Sequence, residues 1–150
     1  MRTGLLAGAA AGAAGTAALN AATYLDMALR GRPTSKTPEE SIEALPFPIP
    51  GEGKTRDNRV TGLSSLSGIA TGVAIGAAFG LLRRAGLRPP PALGGPLIGA
   101  ATMASTNLSM AALKVTNLKD WTAADWLSDA LPHLAYGAVT DAVLRGLDRR

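Results

Sequence analysis

The chain has 150 residues and is 47% hydrophobic but only 4% aromatic, with 15 basic against 11 acidic residues. One domain is the expectation at this length, and its apolar content comes mainly from alanine, glycine and leucine, leaving few large side chains for a soluble core. The absence of cysteine excludes disulfides, thiolate nucleophiles and cysteine-ligated zinc, and the net charge of +4 lies between apolar segments, not in a basic stripe interleaved with aromatics, which argues against nucleic-acid binding.

Four segments approach the roughly 20 mostly apolar residues that cross a bilayer core. The first, residues 4–25, is uncharged and places Gly4, Gly8 and Gly12 at four-residue steps. Arg2 followed by a run of small apolar residues is also compatible with an export signal; no convincing small-x-small cleavage site follows, so a retained helix is expected. The long connection 30–59 contains Thr37, Pro38 and Glu40 in the pattern of a helix start, predicting a short surface helix over 38–45 that Pro46, Pro48 and Pro50 stop. Phe47 and Ile49, set between those prolines, suit a membrane interface, and 51–59 is expected to be an irregular hydrophilic loop.

Within that loop, Gly51-Glu52-Gly53-Lys54-Thr55 has the form of the end of a phosphate-binding loop. Pro48 stands where the first glycine belongs, Pro48 and Pro50 lack amide donors, and no buried strand precedes the loop, so nucleotide hydrolysis is set aside.

The second segment, 60–82, carries Gly68, Gly72, Gly76 and Gly80 among Ile69, Val73, Ile75 and Phe79. A glycine every fourth residue costs a water-exposed helix about 1 kcal/mol each relative to alanine. In lipid the same stripe lets two backbones approach closely, and such packing holds membrane helices together. The third segment, 92–113, repeats the device with Gly95 and Gly99 and is uncharged, although Thr102, Ser105, Thr106, Asn107 and Ser109 make it polar for lipid. Before the fourth, Thr122 and Asp125 form a capping pair, and Trp121 and Trp126 suit headgroup depth.

The fourth segment, 126–144, is marginal because it carries Asp129, His133 and Asp141. These fall with Gly137 at steps of four, and with Tyr136 and Thr140 beside them they share one face. Ionisable groups at membrane depth are costly and usually face a bundle interior, a partner or water. Asp129 and His133 can pair directly, and Pro132 frees a carbonyl that a neighbour can satisfy, with Thr16, Asn20 and Asn107 as candidate partners. Two readings stay open: hydrogen bonds that register the helices, which is favoured, or a proton or ion path through His133. One histidine with scattered carboxylates supplies no metal-ligand cluster.

Four crossings put Arg2, Arg83, Arg84, Arg88, Arg145, Arg149 and Arg150 on one side and Arg30, Arg32, Lys36, Lys54, Arg56, Arg59, Lys114 and Lys119 on the other. That balance is nearly even for the positive-inside rule, and the acidic residues that dilute the second side favour cytoplasmic termini. So even a distribution also permits insertion in both orientations and an antiparallel dimer.

The run from Asp125 through Trp126, Ser128, Asp129, Pro132, His133 and Tyr136 to Gly137, with Val115-Thr116-Asn117, Arg32-Pro33-Thr34-Ser35 and the glycines after Asp57-Asn58-Arg59, resembles a group of uncharacterised small membrane proteins of high-GC actinobacteria. A more distant likeness is to the YagU-like inner-membrane proteins. The resemblance implies a four-helix integral protein of a bacterial plasma membrane and carries no biochemical activity to any residue.

The expectation is therefore an all-α integral membrane bundle of four transmembrane helices packed through glycine stripes, forming one domain. Its expected partners are lipids and either further copies of itself or a larger membrane protein, without cofactor or metal. A non-enzymatic structural or accessory role leads, because no nucleophile, metal set or paired catalytic carboxylates can be named. The alternative is a small channel or transporter using the His133 face.

Overall fold

The computed structural model of the chain describes residues 4–148. Among them are five α-helices, α1 Leu5–Arg30, α2 Thr37–Glu43, α3 Gly53–Arg84, α4 Pro91–Ala112 and α5 Ala123–Asp148, with a single 3-10 turn at Leu118–Asp120 and no strand. Arg2, Arg149 and Arg150, which enter the charge balance above, lie outside the described residues.

The helix ends follow local chemistry. Gly31 closes α1 in the left-handed region at φ 62°, where a residue without Cβ is unstrained. At the end of α4 that position belongs to Lys114 at φ 59°, and the Val115 amide reaches back to the Met110 carbonyl at 3.0 Å. Thr122 and Asp125 cap α5 reciprocally: the Asp125 amide donates to the Thr122 hydroxyl at 3.3 Å, and the Thr122 amide donates to the Asp125 carboxylate at 2.9 Å. The Thr122 hydroxyl also donates to that carboxylate, and this bond, ahead of the amide bond, holds the Asp125 carboxyl below its ordinary value. Trp121 and Trp126 meet edge to face beside the cap, with ring centroids 5.0 Å apart.

Two local expectations are corrected. Thr37 does not cap α2; it lies inside the helix, and its amide donates to the Ser35 hydroxyl at 3.3 Å. The stretch expected to be an irregular loop over 51–59 is helical from Gly53, so α3 has 32 residues and a length of about 48 Å. Its hydrophilic first turns lack an apolar period. They are held by propagation from the long helix behind them and by α2 alongside. Arg56 pairs with Glu43 at 2.5 Å, the Thr61 hydroxyl donates to Glu39 at 2.5 Å, and Arg59 donates to the Pro50 carbonyl at 2.7 Å. Ile42 and Val60 are both buried.

The long helices pack in the order α3, α1, α5, α4, while α3 and α4 meet only sparsely. Gly8 faces Ala77 and Gly80 whereas Gly12 faces Gly72, and Gly94 faces Asp141 whereas Asn107 bonds Asp129. Both pairs are therefore antiparallel. Arg30 reaches Ser128 while Gly15 faces Tyr136 and Thr140, so α1 and α5 are antiparallel too. Gly4, the link 85–90 and Asp148 thus lie at one end, here the termini end, and the segments 31–52 and 113–122 at the other.

Two helices, α1 and α3, are long and apolar enough to cross a membrane, and only 22% of the apolar window of each is buried. The hydroxyls and Asn107 of α4 and the charged groups of α5 keep those two below the same hydropathy. The buried apolar core is small, formed by Ala11, Ile98, Tyr136 and Leu144 with Leu19, Ile75, Phe79 and Val143 against it. Large apolar side chains instead point outward on all four long helices, among them Leu6, Leu29, Leu66, Leu97, Leu108 and Leu131.

Candidate functional site

The glycines of α1 and α3 meet backbone to backbone. A Cβ on Gly8 would fall 2.8 Å from the Ala77 Cα, one on Gly76 2.5 Å from the Gly12 nitrogen, and one on Gly80 2.5 Å from the Gly4 carbonyl oxygen. No side chain fits at those distances, so Gly8, Gly12, Gly76 and Gly80 are required by the contact itself. Gly72 continues the seam against the Thr16 side chain. Gly4 sits at its edge, where a Cβ would have only the Arg84 side chain nearby at 3.6 Å. A Cβ on Gly68 would meet nothing within 4 Å, so Gly68 lies outside the seam.

On α4, Gly95 lies against Ala138 and Gly99 against the His133 carbonyl, where a Cβ would stand at 3.1 and 2.6 Å. Three further glycines work in the same way: Gly15 against Tyr136 and Thr140, Gly94 against Asp141, and Gly137 against Gly95 and Gly99. Gly137 could have been found from its place four residues after His133 on the face that carries Asp141. Gly15 and Gly94 break the four-residue step and carry no comparable signal.

Tyr136 fills the place where α1, α3 and α5 converge. It is fully buried, and its hydroxyl donates to the Gly72 carbonyl at 2.6 Å. Gly15 and Gly72 make room for the ring, so two glycines on different helices serve one aromatic side chain. Thr140, one turn along, points its hydroxyl at the Ala11 carbonyl at 3.4 Å.

Between α4 and α5 lies a polar cluster. Asn107 donates to the Asp129 carboxylate at 2.8 Å, and His133 Nδ1 stands 2.8 Å from the Asp129 carbonyl and 3.3 Å from its carboxylate. The other ring nitrogen is 3.4 Å from the Thr106 hydroxyl, which itself reaches the Met103 carbonyl at 3.0 Å. The Asn107 carboxamide oxygen is buried without a hydrogen-bond partner. Of the three partners expected for this face, Asn107 takes the role, Thr16 bonds its own helix at Gly12, and half-buried Asn20 stays outside the cluster.

Asp141 belongs to a separate group at the termini end. Its carboxylate accepts from Arg83 at 2.9 Å and from Arg145 at 2.6 Å, and both Arg83 and Asp141 are buried. Arg83 also pairs with Asp148 at 3.0 Å, and Arg145 donates to the Pro89 carbonyl at 2.8 Å. These bonds tie α3, the link before α4, and α5 together where α3 and α5 have no packed seam of their own. Arg83 is the functional-looking residue that sequence reasoning missed, because two adjacent arginines after an apolar run look like an interfacial pair. The i, i+4 spacing of Asp141 and Arg145 was the available sign of a charged cluster.

No group of three or more histidine and carboxylate side chains that could hold a metal occurs among the described residues. Fold and site together define an all-helical protein with two helices capable of crossing a membrane. Comparison with protein-family models, curated proteins and solved structures found no match.

Proposed function

We propose that this chain is a four-helix integral protein of a bacterial plasma membrane with a non-enzymatic role, as a structural or accessory subunit of a larger membrane complex or as a homo-oligomer. The observation that carries the reading is the inverted distribution of side chains. Leucines on α1, α3, α4 and α5 face outward, while Tyr136, Thr140 and the Arg83–Asp141 pair occupy the interior. Water would oppose that arrangement at roughly 25 cal/mol per Å² of apolar surface, whereas hydrocarbon accepts it. Buried partners for the polar groups of α4 and α5 make those marginal helices compatible with lipid. The glycine seam supports tight packing inside one chain, and the outward leucines are left for lipid or a partner.

Alkaline extraction of native membranes, followed by native mass spectrometry in mild detergent, tests this. Retention in the membrane with a stoichiometric larger partner or as a defined homo-oligomer is the expected result, and release into the alkaline supernatant would overturn it.

A second reading, a proton or ion pathway, draws on the Asp129–His133–Thr106 chain of groups and the unsatisfied Asn107 oxygen. Flux into reconstituted vesicles that depends on pH and disappears in His133→Ala supports it; no flux from the folded protein removes it.

A further inference from the structure

At the termini end, the sparse contact between α3 and α4 leaves a cavity of about 70 Å³. Phe79 of α3, Leu87 of the link, Leu97 and Ile98 of α4 and Leu144 of α5 form its apolar wall, and the buried Arg83–Asp141 pair also lines it. Leu87 and Leu97 are each more than half exposed, so the cavity opens sideways, away from the bundle axis. An apolar cavity of this kind does not hold water well. Facing hydrocarbon, it is filled by a chain segment that restores the dispersion contacts its walls otherwise lack.

Charge is distributed unevenly over the two ends. Among the described residues, the termini end carries Arg83, Arg84, Arg88 and Arg145 against Asp141 and Asp148, whereas the opposite end carries eight basic against nine acidic residues. Arg83 and Arg145 are committed to Asp141, Asp148 and the Pro89 carbonyl. Arg88 differs: its nearest guanidinium nitrogen is 3.8 Å from Asp148, beyond hydrogen-bond length, and the side chain is 54% exposed. Its donor fork is placed one residue from Leu87 at the mouth of the cavity, where it can meet a phosphate.

We propose that this α3–α4 cleft is a binding site for one anionic phospholipid, with part of an acyl chain against Phe79, Leu97 and Leu144 and its phosphate on Arg88. The site rests on the membrane reading above. It commits to a lipid over free phosphate because the cavity wall is apolar and one exposed arginine, itself only loosely paired with Asp148, makes a poor site for a free ion.

The test uses the full chain purified in mild detergent, stripped of lipid and examined by native mass spectrometry. The probes are phosphatidylglycerol, phosphatidylcholine of identical chains, and soluble glycerol phosphate. One phosphatidylglycerol per chain, retained with a preference of about fivefold over phosphatidylcholine, is the expected result, the size expected from one arginine facing an anionic lipid. Arg88→Gln should abolish the preference, and Leu97→Trp, which fills the opening, should reduce retention of both lipids. Both positions are exposed, and unchanged helicity by circular dichroism checks that each variant folds. Equal retention of the two lipids by the unaltered chain, an unchanged preference in Arg88→Gln, or glycerol phosphate binding as well as the lipid would each overturn the proposal. A chain that stays soluble without detergent would overturn the membrane reading itself, whereas one that needs detergent yet shows no preference overturns the lipid site alone.

Discussion

Gly76→Ala adds one methyl group to the α1–α3 seam, and the structure fixes what that group meets. Its carbon would stand 2.5 Å from the Gly12 nitrogen and 2.6 Å from the Gly8 carbonyl oxygen, where ordinary contact begins at 3.4 Å. The Gly12 Cα lies nearer still, and since all these obstacles are backbone no rotamer change relieves the clash, so the helices must part by about 1 Å. A gap of that size forfeits a quarter to a half of each dispersion contact along the seam. Together with the strain of overpacking, the expected cost is about 3 kcal/mol. Gly68→Ala is the internal control: it lies two turns away on the same helix, its new methyl meets nothing within 4 Å, and alanine is the better helix former by up to about 1 kcal/mol. Unfolding in mixed micelles, followed by far-ultraviolet circular dichroism, should place Gly76→Ala well below the unaltered protein and Gly68→Ala level with it or above. Equal destabilisation by the two changes would refute the argument, because it would mean that α1 and α3 do not meet where Gly12 and Gly76 do.

Arg83→Gln removes the charge that two buried or nearly buried carboxylates share and should cost about 3 kcal/mol in the same unfolding assay. Arg145→Gln should cost clearly less, because Arg145 is more exposed and its removal leaves Asp141 with Arg83. Lys114→Gly relieves a left-handed backbone at φ 59° and should stabilise the chain by about 1 kcal/mol, read as a higher unfolding midpoint. The lowered Asp125 carboxyl makes the start of α5 acid-sensitive. Its stabilising contribution is present above the unfolded carboxyl value near pH 4 and is lost as pH falls through the lower folded value. Hydrogen exchange at the first turn of α5 should therefore accelerate on acidification into that range after correction for intrinsic rates, and Asp125→Asn should remove that acceleration.

The sequence pattern reveals helices more readily than their boundaries and partners. The four-residue glycine step identifies a helix face because it is a local regularity, but whether that face meets another helix depends on where the neighbour diverges. Gly72, Gly76 and Gly80 reach α1, and Gly68, in the same step, reaches nothing. The capping exchange of Thr122 and Asp125 was legible because all its atoms lie within four residues. The helical start at Gly53 was not, because α2 stabilises it through Glu43 and Glu39, which bond Arg56 and Thr61 across 13 and 22 residues. The α5 face through Asp129, His133, Tyr136 and Asp141 could be read from spacing, yet the structure divides it. Asp129 and His133 turn to α4, Tyr136 to α1 and α3, and Asp141 to Arg83. Spacing alone cannot make that division, because it depends on three other helices.

The packing order bears on how the chain is made. α1 and α3 share their seam as soon as both have been synthesised, whereas α4, whose extensive partner is α5, emerges with its Asn107 amide and Gly95–Gly99 face uncovered until the last helix arrives. The contacts thus divide the chain into two hairpins, one closed by glycine contacts and one by the Asn107–Asp129 bond, joined where Tyr136 meets α1 and α3. A chain divided within the link 85–90 retains both hairpins intact, so the two pieces made separately carry everything needed to find each other except the covalent bond.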